Sequence, residues 1–116
     1  MEFPINPEII NSLAFKVAGE ITRMRQRITS MPSDINGIAQ LSKSLDRLEE
    51  ELNSLGFELP ALLNVTFDDG MTVKARFILS ENMKSDERII TKVIIPQINF
   101  KGQLVQIGEV EVSTGK

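Results

Sequence analysis

Ile10, Ala14, Val17, Ile21, Met24, Ile28 and Met31 follow one another in steps of four and three. That spacing lays one continuous apolar stripe along a helix at heptad repeat. Asn6-Pro7-Glu8 supplies its start: a capping side chain, a proline suited to the first helical position, and a carboxylate near the positive end of the dipole. Met31-Pro32-Ser33-Asp34 interrupts the stripe, because Pro32 lacks an amide donor and disfavours helix just before it. A second stripe, Ile38, Leu41, Leu45, Leu48, Leu52 and Leu55, repeats the spacing. Ser33 or Asp34 is the expected cap of this second helix. Gly37 falls in its first turn, where glycine costs about 1 kcal/mol relative to alanine. Gly56 is placed to close the helix in the left-handed conformation, with Phe57 able to fold back on Leu52 and Pro60 preventing resumption.

Beyond Pro60 the period becomes two. Leu63, Val65 and Phe67 alternate with polar residues up to Asp69-Gly70, which reads as a hairpin turn. The next strand places Met71, Val73, Ala75, Phe77 and Leu79 on one face, with Thr72, Lys74 and Arg76 on the other. Ser80 to Glu87 is a polar connection, long for a hairpin. A strand from about Arg88 to Ile95 ends near Pro96. Lys101-Gly102 then turns the chain into a last strand, Leu104 to Val112, with a bulge expected at Gly108 where the alternation slips phase. The pattern predicts one α+β domain over residues 1–116. An antiparallel helical hairpin (7–56) is followed by a four-stranded antiparallel β meander (62–113).

Charge sharpens the view of the helices. Residues 1–32 carry four basic and three acidic groups, whereas residues 33–60 carry two basic and six acidic. A basic helix followed by an acidic one suits hairpin packing with modest exposed pairs. The two stripes together carry more apolar surface than one sheet face covers, so paired hairpins in a homodimer are expected. Ile21, Met24, Ile28, Leu41, Leu45 and Leu48 are the self-association candidates.

Composition narrows the chemistry. Cys and His are both absent, which removes disulfides, thiol nucleophiles, imidazole or thiolate zinc sites and His-based acid–base catalysis. No apolar run approaches the ~20 residues of a membrane span. The segment MEFPINPE lacks the features of a targeting sequence, so a cytoplasmic location is expected. Asp68-Asp69-Gly70 reads as a turn rather than a carboxylate pair. Arg47-Leu48-Glu49-Glu50-Glu51 spreads its charges over different helix faces, which does not suit a metal centre. Ser113-Thr114-Gly115-Lys116 lacks the glycine spacing and following helix of a phosphate loop. No cofactor, metal site or catalytic residue is expected.

The remaining candidate surface is basic: Arg23, Arg25 and Arg27 on the first helix, with Lys74 and Arg76 on a strand face. It is expected to meet an unidentified protein partner. A nucleic-acid-binding regulator using the same residues is the alternative. A net charge of −3, and aromatics limited to six Phe, argue against that alternative. The order of elements and the closing segment Gly102 to Gly115, GQLVQIGEVEVSTG, resemble the bacterial nucleotide-exchange factors that serve the major heat-shock chaperone. That resemblance implies chaperone regulation as a further alternative, and it brings no site residue with it. The long N-terminal coiled coil of that family is not found. The principal expectation is a small non-enzymatic interaction or assembly protein, adaptor- or chaperone-like.

Overall fold

Among the described residues two helices precede six strands, in keeping with an α+β protein. Helix α1 spans Pro7–Thr29 and α2 spans Ile38–Ser54. The strands are β1 (Phe57–Glu58), β2 (Val73–Leu79), β3 (Arg88–Ile95), β4 (Ile98–Phe100), β5 (Gln103–Gln106) and β6 (Gly108–Thr114). The structure is a computed structural model and describes residues 6–115. The chain divides into two compact units, Met1–Phe57 and Glu58–Lys116.

In the first unit α1 begins as its sequence requires. Asn6 is extended and its Oδ1 accepts the Glu8 amide at 2.9 Å, with Pro7 at the first helical position. The helix stops at Thr29 with Ser30 as its C-cap, so Met31 lies beyond it. Helix α2 starts later than expected, and neither Ser33 nor Asp34 caps it. Gly37 is the N-cap, left-handed at φ 93, after turns closed by Ile35 N–H to Pro32 and Ile38 N–H to Ile35. Gly37 is therefore outside the regular helix, and alanine there would be strained rather than helpful. At the other end Gly56 takes φ 104 and donates its amide to Asn53 at 2.9 Å, closing α2 where the sequence places the stop.

The helices run antiparallel. Arg25 of α1 reaches Asp46 and Glu49 of α2, while Phe15, earlier in α1, meets Phe57, later in the chain, edge-on at 6.4 Å. The buried residues of this unit include Ala14, Ala18, Ile21, Leu45, Leu52 and Phe57.

The second unit corrects the four-stranded meander. Strands β2, β6 and β3 form one three-stranded sheet in that order, and β4 pairs with β5 in another. Strand β6 lies between β2 and β3, parallel to the first and antiparallel to the second. The eight-residue connection Ser80 to Glu87 owes its length to this arrangement, since it spans two strand spacings of ~4.8 Å rather than one. It also passes over the end of β6. The Ser80 amide donates to Thr114, the Gly115 amide donates to Glu87, and a Cβ on Gly115 would overlap the carbonyls of Met83 and Lys84.

The segment Leu63–Phe67 does not form the expected strand. Asn64 is left-handed at φ 66, which breaks the extended run, and only an isolated bridge, Thr66 to Ile89, remains. The turn at Asp69-Gly70 is present, with Met71 N–H bonding to Asp68 at 2.9 Å, but it leads from a loop into β2 and joins no hairpin. Lys101 and Gly102, at φ 48 and 83, do make a hairpin turn, between β4 and β5. The expected last strand is two strands in different sheets, parted at Ile107. Gly108 lies so close to the backbone of Gln97 that a Cβ would sit 3.1 Å from its nitrogen. The core of the sheet β2-β6-β3 is Phe67, Ile90, Val93, Val110 and Val112, with Leu62, Leu63, Met71, Val73 and Ala75 packed against it.

Candidate interaction surfaces

Each helical stripe is a double row, and the structure separates the two rows. On α1, Ala14 and Ile21 are buried and Ile28 is half-buried, seven residues apart in turn. On α2, Leu45 and Leu52 are buried at the same interval. The companion rows stay open. Val17 is half-buried, Met24 is 40% exposed, and Leu41 and Leu48 are each 47% exposed, with Met31 and Leu55 exposed beyond the helix ends. A shallow groove of about 290 Å³ lies along this open side, lined by Lys16, Val17, Glu20, Ile21, Met24 and Leu48. Of the six self-association candidates, Ile21 and Leu45 are thus inside the single chain, and Met24, Leu41 and Leu48 face outward.

The basic cluster on α1 is largely engaged. Arg23 pairs with Glu20 one turn earlier, and Arg25 bridges Asp46, at 2.8 Å, and Glu49. Partial burial works against the Arg25 charge, but hydrogen bonds and attraction from Glu49 and Asp46 outweigh it and raise its pKa. The Arg23 hydrogen bond and charge hold the Glu20 carboxyl below its ordinary range. Arg27 stands in the last turn of α1, where a cation favours the carbonyl end of the dipole.

In the second unit Lys74 and Arg76 occupy the outer face of β2, as the alternation requires. In register beside them on β6 stand Glu109 and Glu111, at 3.8 and 3.9 Å. Lys92 of β3 registers with Glu111 from the other side. The face is therefore a row of alternating signs and not a basic patch. A groove of about 220 Å³ runs over it, lined by Lys74, Ala75, Arg76, Ile94, Glu109 and Val110. On the inner face Phe67 meets Phe77 edge-on at 5.5 Å, and Arg88 lies over the Phe67 ring while bonding Asp69 at 3.0 Å.

Two exposed features went unrecognised in the sequence. One is the end of β2, where Phe77, Ile78 and Leu79 are all exposed; three consecutive apolar residues closing an alternating strand were its sign. The other is Ile9 and Leu13, exposed on the first turns of α1 and outside the heptad stripe. Among the described residues no cluster of acidic side chains is arranged to hold a metal ion, and no helix is long and apolar enough to cross a membrane.

Comparison with models of protein families, with curated proteins and with solved structures finds no match to this chain. The likeness of Gly102 to Gly115 to the exchange factors accordingly rests on that segment and the order of elements alone.

Proposed function

We propose that this protein is a small non-enzymatic interaction or assembly protein that forms a homodimer through its helical hairpin. The observation that carries this reading is the open row at heptad spacing, Met24 with Leu41 and Leu48, beside a buried row of the same spacing. A helix packed on one neighbour can leave one row of a heptad stripe uncovered, and a row left open in this way suits a further helical neighbour. Two hairpins placed open face to open face would complete a four-helix arrangement, with Met24 and Leu48 at its centre. Lys16 and Glu20 at the rim of the groove have opposite charges, so a second copy meets no net repulsion there.

Nucleic acid is the weaker reading. Arg23, Arg25, Lys74 and Arg76 each stand beside a carboxylate, and a phosphate backbone would have to displace those carboxylates. The partner surface of the second unit is the β2 side of the sheet, with Lys74 and Arg76.

The chain has no cysteine, so single cysteines introduced by substitution report proximity without background. Leu41→Cys and Leu48→Cys are expected to give disulfide-linked dimers rapidly under mild oxidation. Glu50→Cys, on the opposite side of α2, is expected to stay monomeric on reducing-agent-free gels. Equal cross-linking at all three positions would contradict the proposed face.

A further inference from the structure

Strand β2 ends its sheet. Its pairing with β6 runs from Val73↔Gly108 to Leu79↔Thr114 without a register shift, so the edge it presents is regular over seven residues. The other end strand, β3, differs in both respects. Its ladder carries two shifts, and its outer side is occupied: the Asn64 and Phe67 amides donate to Ile90 and Arg88, and the Ile90 amide donates to Val65. The Ser80 amide bonds to the Thr114 carbonyl at 2.9 Å. By the two-residue alternation Lys74, Arg76 and Ile78 turn their backbone groups towards β6, and Val73, Ala75, Phe77 and Leu79 turn theirs outward. Such an edge templates another strand unless charge, proline or a bulge blocks it. Lys74 and Arg76 guard its first half against strands of like charge. Phe77, Ile78 and Leu79, the last of them 69% exposed, leave its second half unguarded.

We propose that this edge receives an extended segment of another protein as a fourth strand, and that the segment alternates carboxylates with β-branched residues. The structure already contains such a strand on the inner side of β2. There β6, Gly-Glu-Val-Glu-Val-Ser-Thr, sets Glu109 beside Lys74 and Glu111 beside Arg76, with Val110 and Val112 on the core face beside Ala75 and Phe77. The two cations stand nearly 4 Å from those carboxylates and are more than 70% exposed, so both can accept a second carboxylate from the open side. Alternation places both carboxylates on the same face whether the added strand runs parallel or antiparallel. The inference is independent of the helical dimer, because edge and hairpin lie in different units and capture of a peptide is read separately from oligomeric state.

The test uses the full chain and a fluorescently labelled, end-blocked peptide of the β6 sequence, followed by anisotropy. Saturable binding is expected. It should weaken about tenfold in Lys74→Gln/Arg76→Gln, a few-fold for each exposed charge removed. It should be lost in Leu79→Pro, which removes an outward amide while leaving the bonds of Ile78 and Ser80 to β6 in place. A peptide with lysine in place of both glutamates should not bind. Absence of saturable binding up to about millimolar peptide, or equal binding of the lysine peptide, would overturn the proposal. So would self-association of the wild-type chain that Leu79→Pro abolishes, since a second copy would then occupy the edge.

Discussion

Gly37 and Gly56 sit at opposite ends of α2, both left-handed, and only one of them announces this in the sequence. Gly56 follows the last apolar residue of a heptad row and precedes a hydrophobe and a proline, an order that fixes a helix stop. Gly37 stands one residue before its row begins, a position equally compatible with the first helical turn or the cap. What decides is the pair of turns after Pro32. Open space surrounds the missing Cβ of Gly37, so the penalty at that site is confined to the backbone. Gly37→Ala is therefore expected to destabilise the protein by about 1 kcal/mol, and Gly56→Val by about 2 kcal/mol or more because its side chain is branched. Urea denaturation midpoints below wild type for both variants check this. A midpoint for Gly37→Ala above wild type would place that glycine back inside the helix.

At the scale of elements, the helices were legible and the sheets were only half so. Heptad spacing states which residues share a helix face, and the buried row Ala14, Ile21, Leu45, Leu52 is drawn from the stripes it marks out. A period of two states which face of a strand is buried but is silent on which strand lies beside it. Hence β3 was found with its bounds, whereas the insertion of β6 between β2 and β3 was not. Two features carried partial information. The length of Ser80 to Glu87 was a sign of something crossed, and Gly115 marks where the crossing is tightest. Gly115→Ala must push the Met83–Lys84 backbone aside, and overpacking of this kind costs about 1–3 kcal/mol. The variant should unfold at lower urea than wild type. An unchanged midpoint would show that the loop does not close over the end of β6. The turn at Asp68–Gly70 illustrates the converse failure: Asp-Gly specifies the turn but not the hairpin, because the strand expected before it is broken at the left-handed Asn64.

For the whole molecule, the absence of Cys and His narrows the available chemistry. The open apolar row supports association through the hairpin as the reading of what the chain does. The six residues drawn from the sequence for this role mixed both rows of the seam, because spacing alone cannot say which row a single chain covers for itself. The structure assigns Ile21 and Leu45 to the interior, so their substitution by a charged residue would unfold the chain and report nothing on assembly. Met24 and Leu48 face water in the single chain, and charged replacements there leave its interior intact. Sedimentation equilibrium of the wild-type protein and of Met24→Glu/Leu48→Glu at micromolar concentration is the most direct measurement. About twice the 13.0 kDa chain mass is expected for the wild type, and the chain mass for the double variant with its helical circular dichroism retained. A wild-type protein that sediments as a monomer throughout that range, or a double variant that remains dimeric, would contradict association through the hairpin.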